Sequence, residues 1–213
     1  MSVEVKICGI TDADALKTAI KAGASYVGFV FYPRSPRAMK VDAAQKLSES
    51  VPAHVMTAGL FVDPHDDKLF AVARNVPLGI IQLHGDESPA RVDEIRTFTG
   101  LPVMKAIGIA NERDFVQVGA YEEVADMLLF DAKPPPTATR PGGNAESFDW
   151  RLLKGRRFKR PWMLAGGLST QNLAAAVRLS GASAVDVSSG VEDRPGHKNP
   201  EKIREFISLA DRL

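Results

Sequence analysis

At 213 residues, with 45% hydrophobic and 25% charged side chains, the chain has the make-up of a globular protein with one sizeable core. A formal charge of +1 excludes a broad basic face for nucleic acid or an anionic membrane, while leaving room for a local basic pocket. The single cysteine, Cys8, excludes an internal disulfide and fits a reducing, cytoplasmic setting. Glu4 and Lys6 precede any apolar block, so no signal peptide is expected, and no apolar run approaches the roughly 18 residues of a membrane helix.

Short runs rich in Val, Ile, Leu and Phe predict strands at VEVKICG (3–9), YVGFVF (26–31), HVMTAGLFV (54–62) and GIIQLHG (79–85). Four more follow at PVMKAIGI (102–109), MLLFDA (127–132), PWMLAGG (161–167) and ASAVDVSS (182–189). Helix starts are expected at Thr11 or Asp12, at Asp42, between Pro64 and Asp66, and at Ser88 with Pro89. Asn111, Ser147 or Asp149, Ser169 and Asn199 are the remaining expected starts, and Gly23 stands just past the first helix.

Eight strands alternating with eight helices imply parallel strands joined by helical crossovers. An open doubly wound sheet uses the same units. The count of eight, the length, and the absence of GxGxxG after the first strand favour a closed (β/α)8 barrel, a single domain over residues 1–213. The Pro-rich KPPPTATRPGGNAES (133–147) is too short to separate domains and is expected to be a long loop after the sixth strand, of a kind often used as a lid.

Alternation along barrel strands sends successive side chains inward and outward. On the first strand Val3, Val5 and Ile7 share the outward parity, which puts Lys6 and Cys8 inside. The same rule points Gln82 and His84, Asp131, and Asp186 and Ser188 inward, each near a strand's C-terminal end, where βα loops converge on barrel active sites. Several polar groups at one end of a packed core are costly unless they line a wet pocket. The seventh strand runs into AGGLST and the eighth into SSGVE, the two loops that bind phosphate in many barrels. A phosphorylated small molecule is the expected ligand.

Taken together, KICGIT (6–11), GFVFYPRSPR (28–37), QLHGDE (82–87), LFDAK (129–133), FDW (148–150), AGGL (165–168) and VDVSSGVE (185–192) resemble the phosphoribosylanthranilate isomerases of tryptophan biosynthesis across nearly the whole chain. One departure is that Gly142 and Gly143 are followed by Asn144 and Ala145, where the family often has a small residue and a glycine. The resemblance implies an Amadori rearrangement of an aminoaldose to an aminoketose, with Asp131 as general acid and Cys8 as general base. It further implies that Arg37 pairs with the anthranilate carboxylate, and that Gly166, Gly167, Ser188, Ser189 and Gly190 hold the phosphate. His84 and Asp186 are expected to line the substrate pocket. Lys6 is a cation placed to lower the thiol pKa of Cys8 if it lies close enough.

No cofactor and no metal are expected: His54, His65 and His197 have no partner at ligand spacing. A monomer or homodimer is expected, with no nucleic-acid or membrane partner. A ring-closing synthase on the same fold is a rival, since Lys6 and Lys105 are inner lysines, but it leaves the thiol–carboxylate pair idle. A histidine-pathway isomerase is expected to carry an aspartate where Cys8 stands. A phosphate-binding barrel without activity is expected to lose Cys8, Asp131 or Arg37, and all three are present.

Overall fold

The computed structural model describes residues 2–134, 142 and 146–213. Eight parallel strands close in chain order into a barrel: β1 (Glu4–Cys8), β2 (Tyr26–Val30), β3 (Met56–Phe61), β4 (Ile80–Leu83), β5 (Val103–Ile109), β6 (Met127–Ala132), β7 (Trp162–Leu164) and β8 (Ala184–Val187). β1 and β8 complete the ring, with Lys6 opposite Asp186. All eight strands fall within the segments expected from the sequence, most of them one or two residues shorter at the ends.

Parity works as alternation requires. Val3, Val5, Ile7, Ile81, Leu83, Leu128, Phe130, Val185 and Val187 join the outer core between strands and helices. Inside, Ala58, Ile80, Met104, Met127, Leu129 and Met163 form an apolar plug. A fully buried aliphatic side chain stabilises the fold by about 1.5–3 kcal/mol, so both layers oppose the entropy of ordering the chain. Lys6, Gln82 and Lys105, each at most 2% exposed, are the buried polar residues of the barrel strands β1, β4 and β5.

The outer layer holds α1 (Ala13–Ala22), α2 (Val41–Ser48), α3 (Asp66–Asn75), α4 (Pro89–Thr99), α5 (Val118–Val124), α6 (Leu173–Ser180) and α7 (Pro200–Ala210). Caps fix several starts. Asp12 accepts from the Ala15 N–H at 2.8 Å, Ser88 from Arg91 at 3.2 Å, and Asn199 from Glu201 at 2.7 Å. Gly23 ends α1 in the left-handed conformation.

The expected eighth helix is absent among the described residues. Asp149 instead caps a single 3₁₀ turn, Trp150–Leu153, between β6 and β7. Aromatic rings cover that face: Phe158 lies 4.7 Å from Phe130 and 5.7 Å from Trp162, centroid to centroid. Other starts also shift. Lys40, not Asp42, precedes α2, and Asp42 sits within its first turn. Asn111 opens a 3₁₀ turn, Glu112–Gln117, ahead of α5. Ser169 starts no helix. The Asn172 side chain accepts from its N–H and donates to the Gly167 carbonyl, so residues 167–172 form a shaped loop before α6. After β8 the chain adds a hairpin, β9 (Glu192–Arg194) and β10 (His197–Lys198), before α7. Of the loop expected over 133–147, residues 135–141 and 143–145 lie outside the described residues.

Candidate active site

Of the inward polar residues expected from alternation, Cys8, His84, Asp131, Asp186 and Ser188 line the cleft at the C-terminal rim of the barrel, and Lys6 and Gln82 are buried behind them. At the base of the site Lys6 pairs with Asp186 at 2.9 Å, the lysine fully buried. Burial works against that ammonium, but Asp186 and then Cys8 more than compensate and hold it above its usual range. Cys8, the last residue of β1, is buried beside this pair. Burial pushes its thiol above the usual range; Lys6 and Lys198 pull it down and Asp186 pushes it up. Lys6 therefore acts on the thiol in the expected direction, but burial outweighs it. The Ser188 hydroxyl donates to the Cys8 carbonyl at 3.0 Å and ties β8 to the end of β1.

Across the rim, Asp131 ends a hydrogen-bonded chain. Gln82 Nε2 lies 2.9 Å from His84 Nδ1, and His84 Nε2 lies 3.0 Å from Asp131 Oδ2. The other carboxyl oxygen, Oδ1, accepts from the Ala132 N–H at 2.7 Å. With the Gln82 amide donating to Nδ1, the imidazole proton sits on Nε2 and faces Asp131. His84 thus touches the carboxyl assigned to acid chemistry, a sharper role than general pocket lining.

Arg37 is held by a partner the sequence did not disclose. Its Nε and Nη2 donate to Glu192 at 2.7 and 2.8 Å, and Lys198 Nζ donates to the same carboxylate at 2.7 Å. Gly9, with φ +76°, makes room for the arginine stem: a Cβ there stands 2.4 Å from Arg37 Cδ. The side edge of the guanidinium is thus spent, while Nη1 has no hydrogen-bond partner among the described residues and Arg37 lines the cleft. Lys105, the other inner lysine, is engaged by Glu87 at 2.7 Å and the Gly85 carbonyl at 2.6 Å. Glu87 also accepts from the Asp63 and Gly85 N–H groups, so this pair pins the β3 and β4 loops.

Two adjoining clefts share Asp131, Gly142, Asp186 and Ser188. The first holds Cys8, His84 and Arg37 against the apolar walls of Val30, Leu60 and Val62. The second runs over Gly166, Gly167, Leu168 and Ser189. There the two glycine loops touch so closely that a Cβ on Gly190 lies 1.9 Å from the Leu168 carbonyl oxygen. The N–H groups of Gly167 and Leu168 donate to no protein acceptor among the described residues, and Ser189 and Gly190 open a 3₁₀ turn whose first N–H groups have no partner within it, which leaves donors for an anion. A helix dipole contributes little here, because α6 starts only at Leu173 and a three-residue 3₁₀ turn follows β8. Gly190→Ala should force the loops apart and raise KM about tenfold or more, with inhibition by inorganic phosphate weakened in parallel; an unchanged phosphate inhibition constant would dissociate these loops from the anion.

His54, His65 and His197 are exposed, and among the described residues no cluster of three or more His, Cys, Asp or Glu has metal-binding geometry. Residues 5–209 match the family model of N-(5′-phosphoribosyl)anthranilate isomerase. Over 210 residues the chain is 56% identical to the N-(5′-phosphoribosyl)anthranilate isomerase of Paracoccus denitrificans (strain Pd 1222), covering 99% of this chain and 98% of that one. A crystal structure of a phosphoribosyl anthranilate isomerase in complex with reduced 1-(o-carboxyphenylamino)-1-deoxyribulose 5-phosphate superposes with TM-score 0.86 at 37% identity, over 99% of this chain and 100% of the other. A monomeric form of the dimeric enzyme from Thermotoga maritima superposes with TM-score 0.85 at 38% identity and the same coverage. On sequence and on fold alike, the chain belongs to the N-(5′-phosphoribosyl)anthranilate isomerase family.

Proposed function

We propose that the rearrangement this chain catalyses, of N-(5′-phosphoribosyl)anthranilate to 1-(2-carboxyphenylamino)-1-deoxyribulose 5-phosphate in tryptophan biosynthesis, uses Asp131 as general acid and Cys8 as general base. The supporting observation is that a thiol from β1 and a carboxyl from β6 line one cleft, between an apolar end carrying Arg37 and a glycine-loop end rich in open N–H groups.

The Asp131 carboxyl gives its proton to the furanose ring oxygen as the C1′–O bond breaks. The anthranilate nitrogen lone pair forms the C1′=N bond, leaving a protonated imine. The carboxylate so formed is met by the Ala132 N–H and by His84 Nε2. The imine acidifies the C2′ hydrogen, which the Cys8 thiolate removes, and the electron pair moves through C1′ to nitrogen. The resulting enol-amine becomes the ketone when its hydroxyl proton is lost and C1′ gains one. C2′ is oxidised and C1′ reduced within one molecule, so electrons balance without a redox cofactor.

The phosphate rests on Gly166, Gly167, Ser188, Ser189 and Gly190, and the aromatic ring on Val30, Leu60 and Val62. Its carboxylate meets the open edge of Arg37. Asp186 supports the site from below by holding Lys6 beside the thiol. The enzyme works in the cytoplasm, where its one thiol stays reduced; no helix among the described residues is long and apolar enough to cross a membrane. It is a monomer or a homodimer.

Generating the aminoaldose in situ and following the loss of anthranilate-type fluorescence tests the assignment. Wild-type turnover with loss in both Cys8→Ala and Asp131→Asn is expected; full turnover in either variant overturns that residue's role. Arg37→Ala should raise KM about 10- to 100-fold with inhibition by inorganic phosphate unchanged. Equal weakening of both would move Arg37 to the phosphate end.

A further inference from the structure

Lys198 sits in the β9–β10 hairpin, away from the strands that carry the acid and the base. Its side chain is fully buried, and its contacts are with Glu192 and with Ser188 at the phosphate end, not with the acid or the base. Its three protons are already committed, to Glu192 Oε1 at 2.7 Å, to the Ser188 carbonyl at 3.0 Å and to the Ser188 hydroxyl at 3.2 Å. None is left for a ligand. Glu192 is equally saturated: Oε1 accepts from Lys198 and Arg37 Nε, and Oε2 from Arg37 Nη2 and the Gly196 N–H at 3.3 Å.

The cluster therefore holds two cationic side chains around one carboxylate in a buried setting, and among the described residues its donor without a partner is Arg37 Nη1. Without Lys198, Arg37 and Glu192 form a closed neutral pair that has little attraction for a second carboxylate. With Lys198, Glu192 is neutralised from behind and one positive charge is left facing the cleft.

We infer that Lys198 is a specificity-determining residue for the substrate carboxylate, acting through Glu192 to free the charge of Arg37 for the ligand. The inference rests on the assignment of Arg37 to that carboxylate. Lys198 is a positioning residue, and its effect follows from charge count rather than from contact. Burial holds its ammonium below the usual lysine range; Glu192, at 2.7 Å, opposes that shift and Arg37 adds to it.

The test is equilibrium titration with reduced 1-(o-carboxyphenylamino)-1-deoxyribulose 5-phosphate and with its phenylamino counterpart lacking the carboxylate. Binding is the readout because Lys198 also acts electrostatically on Cys8, so turnover mixes two effects. Lys198→Met should cut the preference for the carboxylated ligand, read as the ratio of the two affinities, about tenfold; the lost Ser188 contacts act on the phosphate that both ligands carry and cancel in that ratio. Glu192→Gln should keep the preference, and Lys198→Met combined with Glu192→Gln should restore it to within about threefold, because both leave Arg37 charged and unspent. The double variant lacks the same Ser188 contacts as Lys198→Met, so a merely structural role predicts no rescue. A preference that survives Lys198→Met, or that Glu192→Gln and the double variant lose, overturns the inference. Should Lys198→Met fail to fold, Glu192→Gln and the double variant still decide. Arg37→Ala separates the two levels: it should abolish the preference, and if it does not, the assignment of Arg37 fails.

Discussion

Cys8→Ala should lower kcat by about 10³-fold or more while leaving KM near that of the wild type. The side chain is buried at the end of β1, and its loss removes a single sulfur from the cleft wall. Stability should fall by only about 1–2 kcal/mol, since the Lys6–Asp186 pair beneath it is untouched. The pH dependence separates base from wall. Burial raises the thiol pKa more than Lys6 and Lys198 lower it, so the free enzyme is mostly thiol near neutrality. The active species is the thiolate beside a protonated Asp131, so over the range in which Asp131 keeps its proton kcat/KM should climb about tenfold per pH unit until the thiol ionises. Cys8→Asp places a base that is already ionised well below neutral pH. It should recover part of the activity and lose the alkaline-rising limb. A rising limb that persists in Cys8→Asp belongs to another group and removes Cys8 from the base role.

How much of this was legible beforehand depends on the distance over which each feature is encoded. Cys8, His84, Asp131 and Asp186 were found because strand alternation is a local rule with period two, and each lies at a strand end. The position of the glycine loops followed from counting strands. The hairpin after β8 was missed, although EDRPGHK carries a signal: Pro195 and Gly196, the latter at φ +84°, form the two-residue turn between β9 and β10. Its consequence was not legible at all. Glu192 meets Arg37 across 155 residues, and Lys198 joins them only because the hairpin folds back over the rim.

The helix tally failed for a different reason. Asp149 and Asn111 are sound caps, but a cap only opens a turn, and tertiary packing decides whether an α-helix follows. Between β6 and β7 the packing comes from Phe158 and Trp162 against Phe130, so a single 3₁₀ turn suffices. Ser169 was mistaken for a cap because Asn172, three residues on, uses its side chain to bridge Ser169 and Gly167. The same bridge shapes the loop that faces the phosphate end of the cleft.

Asp131→Asn offers the cleanest separation of chemistry from architecture. The carboxamide keeps the shape: its oxygen can accept from the Ala132 N–H, and once the Gln82 amide turns to offer its otherwise unpartnered oxygen to His84 Nδ1–H, its NH₂ can donate to the bared Nε2. Stability and KM should hold near wild type. What is lost is the acidic proton that opens the ribose ring, and kcat should fall about 10²- to 10⁴-fold. A substrate carrying deuterium at C2′ then distinguishes the two steps. In Cys8→Asp, a weaker arrangement for proton removal, breaking the C2′–H bond limits turnover and the isotope effect should grow. In Asp131→Asn, ring opening comes before that bond breaks and becomes limiting, so the isotope effect should collapse toward unity. An effect in Asp131→Asn as large as in the wild type would mean that ring opening had not slowed, and the acid would have to be sought elsewhere in the cleft.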